Sequence, residues 1–326
     1  MKVCIVGAGA IGGFLGARLA AAGRAQVSAL ARGATLQALQ DHGWRLTTAE
    51  GLVQAPARSS SNAADLGPQD LVLIAVKGPA LASVAQGLAP LLDPRTIVMP
   101  AMNGVPWWFC AGLPAPAGGP LTSVDPDGSI AAAIAYERVL GCVVHASTFV
   151  PEPGHVQHKM GRGLIVGEPR GGSSERAQQV VDLLVHAGFE ATLSTDVRHD
   201  VWYKLWGNMT MNPVSAITGA TADRILADPL VRGFNSAAMI EAAAIGARIG
   251  CPIEQDAEAR HAITAKLGAF KTSMLQDVEA GRPIELDAIV GAVHEIGRRV
   301  GVPTPAIDAL YGLTRLFAQV RGLYPR

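Results

Sequence analysis

The chain opens on Met1-Lys2-Val3-Cys4-Ile5-Val6-Gly7-Ala8-Gly9-Ala10-Ile11-Gly12-Gly13-Phe14-Leu15-Gly16, and this stretch decides how the rest is read. Val3 to Val6 is a short apolar, β-branched run of the kind that forms a strand buried on both faces. It breaks into Gly7-Ala8-Gly9-Ala10-Ile11-Gly12, and a small-residue helical pattern follows until Gly23. Gly7 would permit the tight turn, and Gly9 would let backbone N–H groups approach a pyrophosphate. Gly12 would let the helix lie close against the strand. The anion would then sit at a helix N-terminus, where unpaired N–H groups and the dipole favour negative charge. A strand before the glycines and a helix after them point to a dinucleotide fold.

The next strand, Gln26 to Ala31, is closed by Arg32. NAD sites place an acid about 20 residues after the motif, to accept the ribose hydroxyls. Here Arg32 stands at that distance from Gly12, and no carboxylate occurs before Asp41. A guanidinium pairs with a 2′-phosphate where a carboxylate would repel it. The expected cofactor is therefore NADP(H).

Strands alternate with helices through the first half: Asp70 to Lys77 and Thr96 to Met99 are further apolar strands. This rhythm predicts a parallel, doubly wound sheet. Ligands of such sheets bind beyond the carboxyl ends of the strands, which is where Lys77 and Asn103 fall. Residues 105–137 interrupt the pattern with Trp107-Trp108-Phe109 and a Gly/Pro-rich tract. A loop of this length is commonly functional, and we expect the aromatic residues to fold over or beside the cleft, leaving the Gly/Pro tract as a surface excursion, or else to pad the sheet or an oligomer interface. His155 to His158 and Leu164 to Val166 read as a hairpin about Gly161–Gly163. His155 and His158 read as structural or surface histidines, because residues three apart on a strand face opposite ways.

From Asp196 on, long helical patterns replace the strands, which predicts an α/β chain: a Rossmann-type domain over 1–195, with an insertion around 105–137, and an all-α domain over 196–326. With 326 residues the chain is long enough for two cores. The formal net charge is zero, which removes the electrostatic case for nucleic acid or an anionic membrane surface. Four dispersed cysteines without a CxxC pair indicate neither zinc nor a disulfide framework. The first residues resemble a signal peptide only superficially, since their removal would destroy the first strand. With no apolar run of spanning length, we expect a soluble, cytoplasmic protein. The sequence leaves room for a homodimer without specifying one.

The helix Val201 to Ile217 carries the second decisive pattern. Lys204, Asn208 and Asn212 stand four residues apart, so they drift by only about 80° along one face. Trp202, Leu205, Trp206, Met209 and Ile217 cover most of the remainder. A helix apolar nearly all round is buried, and a lysine on it needs a polar cleft or a charged partner. Pro213 suggests a kink.

Taken together, these residues resemble the ketopantoate reductase (2-dehydropantoate 2-reductase) family. The resemblance rests on Gly7 to Gly12, Arg32, Val76-Lys77, Asn103-Gly104 and Lys204 to Pro213. It is completed by Ser273-Met274-Leu275-Gln276-Asp277 and Glu285-Leu286-Asp287. It implies NADPH-dependent reduction of a 2-keto acid, ketopantoate first among them, with Lys204 stabilising the alkoxide and donating the proton. Asn208, Asn212 and Ser273 would hold the substrate, and Glu285 would anchor a substrate hydroxyl or orient Lys204. Gly7, Ala8, Gly9, Ala10, Ile11, Gly12, Arg32, Lys77 and Asn103 would hold the cofactor, Asn103 near the nicotinamide ribose. Asp277 and Asp287 read as structural caps. The open alternatives are a related reductase for another 2-keto acid and a non-catalytic NADP-binding sensor.

Overall fold

The computed structural model describes residues 1–325. The chain forms two compact units. One comprises Met1–Met102 and Asp127–Asp200; the other comprises Asn103–Pro126 and the chain from Val201 on.

In chain order the first unit contains β1 (Lys2–Val6), α1 (Ala10–Ala22), β2 (Gln26–Leu30), α2 (Gly33–His42), β3 (Trp44–Thr48), β4 (Gly51–Ala55) and β5 (Arg58–Ser60). It continues with β6 (Leu71–Ile74), α3 (Leu81–Ala85), β7 (Ile97–Pro100), α4 (Ser129–Ala133), β8 (Gly141–Glu152), β9 (His155–Gly167), α5 (Glu175–His186) and β10 (Glu190–Ser194). Strands β5-β2-β1-β6-β7 make the expected parallel sheet. Its inner strands β1 and β6 are apolar and almost wholly buried, as a sheet covered on both faces requires.

The remaining strands form a second, mixed sheet in the order β10-β9-β3-β4, with β8 paired to β9, instead of extending the first. Short connections dictate this. Ala49-Glu50 and Pro153-Gly154 each join two strands by two residues, and only antiparallel partners can be joined so briefly. The hairpin turn therefore lies at Pro153-Gly154, while Gly161–Gly163 falls inside the long strand β9, beside its register shifts against β8. His155 lies 2.8 Å from the Thr47 hydroxyl, and the His158 ring stacks on Phe14 at 4.9 Å. Each histidine thus has its own structural partner.

Glycine sets the packing of α1. At Gly16 a Cβ would come within 2.4 Å of the Trp44 ring, and at Gly13 within 2.5 Å of Val156. Helix α1 therefore lies close over the second sheet because these positions lack side chains. All four cysteines are buried and none is joined in a disulfide. Burial pushes the Cys4 thiol up to about 11, so it stays a neutral, apolar-like group. Among the described residues no helix is long and apolar enough to cross a membrane.

The second unit is helical: α6 (Val197–Thr218, which begins before the division), α7 (Ala222–Ala227), α8 (Pro229–Arg248), α9 (Ala257–Ala265), α10 (Ser273–Glu279), α11 (Ala292–Val300) and α12 (Pro305–Val320). Glycine and proline divide two stretches that do not run on as single helices. The 80–92 stretch breaks into short turns around Gly87 and Pro90. The 256–280 stretch divides into α9 and α10, with Gly268 left-handed at φ 60° between them. Pro213, by contrast, lies inside the continuous helix α6. The chain passes between units at Asp200–Val201, not at Thr195, and residues 103–126 leave the first unit for the second.

Replacing Gly16 by alanine tests the packing of α1. Alanine improves helix propensity by about 0.8–1.0 kcal/mol, but overpacking a close-packed site costs about 1–3 kcal/mol. With a fully buried indole as the obstacle, Gly16→Ala should lower unfolding free energy by about 1–2 kcal/mol. Urea denaturation of the two proteins checks this.

Candidate active site

In the first unit, the sequence-predicted cofactor residues gather at one sheet edge. Val6 is level with Leu30 and Ile74 in the parallel register. The loop after β1, Arg32 after β2 and Lys77 after β6 therefore all lie beyond the carboxyl ends of three adjacent strands. Gly7 adopts φ 90° and donates its N–H to the Leu30 carbonyl at 3.0 Å. A Cβ at Gly12 would lie 2.0 Å from the Gly7 carbonyl oxygen, so helix and loop touch backbone to backbone.

Gly9 is different: a Cβ there would meet nothing within 4 Å. It caps α1 without a side-chain hydrogen bond, and the first turn carries no acid. The space beside Gly9 at the start of α1 is thus open, and no carboxylate stands in the first turn, where the unpaired N–H groups of a helix lie. Ala8 is buried, while Ala10 and Ile11 are half-buried, Ile11 against the core. Arg32 is exposed at the N-cap of α2, and Lys77 is exposed at the start of a short turn. This edge has what a dinucleotide phosphate needs: an open glycine, helix N–H groups and two cations.

In the second unit, α6 presents Lys204, Asn208 and Asn212 along one face. Trp202, Leu205, Trp206 and Met209 are buried on the others. The Trp206 indole N–H donates to the Met239 carbonyl at 2.7 Å. Gly246 on α8 makes room for Trp202: a Cβ there would lie 2.5 Å from the indole nitrogen. Lys204 is half-buried, and its Nζ donates to Asn103 Oδ1 at 2.8 Å. Asn208 is half-buried and Asn212 buried. The structure thus brings Asn103, expected beside the cofactor from its place after β7, to the lysine.

Gly104 makes that approach possible. It adopts φ 84°, and a Cβ would come 2.6 Å from the Ala288 carbonyl oxygen. The same carbonyl accepts the Val105 N–H at 2.7 Å. Sequence reasoning missed this contact, although an Asn-Gly pair directly before a buried segment is the signal a left-handed turn leaves. Glu285 is half-buried, two residues before the turn that contains Ala288. Ser273 is exposed at the first position of α10, whose N-cap is Thr272. No direct hydrogen bond joins Ser273 or Asn208 to the Lys204–Asn103 pair among the described residues.

The aromatic cluster of the insertion is core. Trp107, Trp108 and Phe109 are at most 4% exposed, and Phe109 stacks on Trp202 at 5.9 Å. Phe109 secures residues 103–126 to the helix that carries Lys204. All three rings are packed within the second unit.

Residues 3–171 match the family described as ketopantoate reductase PanE/ApbA, and residues 196–318 match its C-terminal family. The chain is 44% identical to a 2-dehydropantoate 2-reductase of Mesorhizobium japonicum, over 99% of this chain and all of that one. The chain belongs to the ketopantoate reductase family. Among solved structures, a candidate ketopantoate reductase from Ralstonia solanacearum MolK2 is 60% identical, with a TM-score of 0.94 over 99% of both chains. The 2-dehydropantoate 2-reductase of Methylococcus capsulatus is 28% identical, with a TM-score of 0.84 over 98% of both. The family matches cover both the glycine-rich edge and the Lys204 helix.

Phe109→Ala would leave a cavity beside Trp202. Truncating a buried phenylalanine costs about 3–5 kcal/mol. We expect a loss of that size, measured by chemical denaturation, together with a change in tryptophan fluorescence.

Proposed function

We propose that this chain reduces 2-dehydropantoate to pantoate with NADPH. The observation that carries the reading is the Lys204 Nζ–Asn103 Oδ1 hydrogen bond in a member of this family. It gives a half-buried ammonium a fixed direction, as a proton donor to a reacting oxygen needs.

In this proposal the Gly7–Gly12 loop and the start of α1 hold the pyrophosphate, with Lys77 beside the cofactor. Arg32 pairs with the 2′-phosphate, the role its exposed position after β2 leaves open to it. When bound, the reduced nicotinamide supplies the hydride. Charge then builds on the substrate's 2-keto oxygen, and Lys204 stabilises it and delivers a proton from Nζ. The carbonyl carbon gains the hydride, the oxygen gains the proton, and Lys204 recovers its own from solvent. Asn208 and Asn212 orient substrate polar groups from the same helix face, Ser273 adds a hydroxyl for the carboxylate, and Glu285 anchors a substrate hydroxyl or orients Lys204. Four buried thiols without a disulfide support a reducing, cytoplasmic setting.

The test follows loss of reduced-nicotinamide absorbance with 2-dehydropantoate and a panel of other 2-keto acids. The intact protein should reduce 2-dehydropantoate best. Lys204→Ala should lower turnover by roughly 10²–10⁴-fold and leave NADPH affinity nearly unchanged. Unchanged turnover in that variant, or no keto-acid-dependent oxidation by the intact protein, would overturn the proposal.

Cofactor choice has a separate test. A charged hydrogen-bonded pair contributes about 1.5–3 kcal/mol, which corresponds to roughly ten- to hundredfold in affinity. NADPH should bind that much more tightly than NADH, and Arg32→Ser should erase most of the difference. Equal affinities by titration of the intact protein would rule out Arg32 as the discriminator.

A further inference from the structure

The turn between Glu285 and α11 has an unusual backbone and an unusual set of ties. Asp287–Gly291 is π-helical, a conformation that is rare, occurs in short pieces and is frequent at functional sites. Its second residue is Ala288, whose carbonyl receives Val105 and faces Gly104. Two residues before the turn's first position stands Glu285.

Both flanks of Glu285 are tied to the C-terminal end of the same unit. On one side, the Ile284 N–H donates to the Leu323 carbonyl at 3.1 Å, and the Leu323 N–H returns to Ala318 on α12 at 2.8 Å. On the other, Asp287 Oδ1 accepts two phenol hydroxyls: Tyr311 of α12 at 3.2 Å, and Tyr324, the residue next to Leu323. Gly291 leaves room for this arrangement, because a Cβ there would come 3.2 Å from the Tyr311 hydroxyl.

We propose that Asp287 is a positioning residue: clamped by Tyr311 and Tyr324, it fixes the π-helical turn that holds Asn103 on Lys204 and Glu285 at its entrance. The inference rests on the reductase reading for its kinetic consequence, and on geometry alone for the clamp. The chain of contacts has no gap: Tyr311 and Tyr324 to Asp287, Asp287 to its neighbour Ala288, Ala288 to Gly104 and Val105, and Asn103 to Lys204.

The phenols suit the task. Burial pushes the Tyr324 hydroxyl well above its ordinary range, and the Asp287 carboxylate pushes it further. Tyr311 is raised too, again chiefly by burial. Both therefore stay protonated, and both remain donors. The clamp borders a cleft of about 520 Å³, lined also by His294, Glu295 and Arg298. Water can enter such a cleft and satisfy a carboxylate or phenol that loses its partner, so single substitutions here should be tolerated by the fold.

The experiment compares Asp287→Ala, Asp287→Asn, Tyr324→Phe and the Asp287→Ala/Tyr324→Phe pair in the full-length protein. It measures kcat and KM for 2-dehydropantoate, thermal midpoint, and acylation of Lys204 by an amine-reactive ester, followed by peptide mass spectrometry without substrate. A misplacement of about 1 Å costs roughly a hundredfold in rate. Asp287→Ala should therefore lower kcat by about ten- to hundredfold with KM nearly unchanged, and should speed acylation of Lys204 several-fold. Asp287→Asn keeps an oxygen that accepts the phenols and should restore most of both. Tyr324→Phe should act in the same direction and add little to Asp287→Ala. Parent-like kcat and Lys204 labelling in Asp287→Ala, or an asparagine variant as impaired as the alanine one, would overturn the proposal. Should the intact protein reduce no keto acid, the reductase reading fails and the labelling comparison still decides the clamp.

Discussion

A cation on a buried helix must keep a hydrogen-bond acceptor, and much of the second unit can be understood from that requirement. Helix α6 is enclosed by Trp202, Leu205, Trp206 and Met209, so Lys204 has few directions in which its ammonium can be satisfied. Asn103 supplies one acceptor, from a turn in which Gly104 is left-handed against the Ala288 carbonyl. A charged group left without its partner in such a place costs far more than one hydrogen bond contributes. The local conformation of residues 103–105 and the placement of the lysine are consequently coupled.

The first unit uses glycine to the same end with the opposite charge in view. Gly7 and Gly12 bring helix and loop into backbone contact, whereas Gly9 leaves a space. Two glycines close a gap and the third keeps one open. Three glycines of one motif are thus separable in their physical tasks, and the difference is measurable in what a methyl group would strike. Close packing of α1 against Trp44 and Val156 continues the pattern along the helix and makes the loop's position a consequence of the core beneath it.

Much of this was legible in the residues. A strand–glycine–helix order, Arg32 in the place of an acid, and a four-residue spacing of Lys204, Asn208 and Asn212 reflect local rules that operate over a few residues. Strand partners beyond the first sheet were not legible, because the hairpin at Pro153-Gly154 competes in sequence with an equally turn-like Gly161–Gly163. Register shifts between β8 and β9 absorb those glycines within a strand. Asn103 is picked out by its place after a strand, a rule that holds for ligand edges in general, while the lysine it bonds lies 101 positions away. Asp287 offered only the signature of a helix cap. Its two tyrosine partners come from α12 and from the residues after it, and no spacing rule connects them.

The excursion of residues 103–126 also bears on how the protein is made. The segment belongs to the second unit but is synthesised in the middle of the first. On a growing chain, Trp107, Trp108 and Phe109 emerge long before Trp202, the ring on which Phe109 will rest. During that interval three large apolar side chains lack the surface that later buries them, and transiently exposed apolar surface of this kind promotes association. The first unit, for its part, cannot be completed until the chain has left it and returned at Asp127. No single cut yields two intact pieces: a chain ending at Asp200 holds all of the first unit, and with it residues 103–126 parted from the rest of the second.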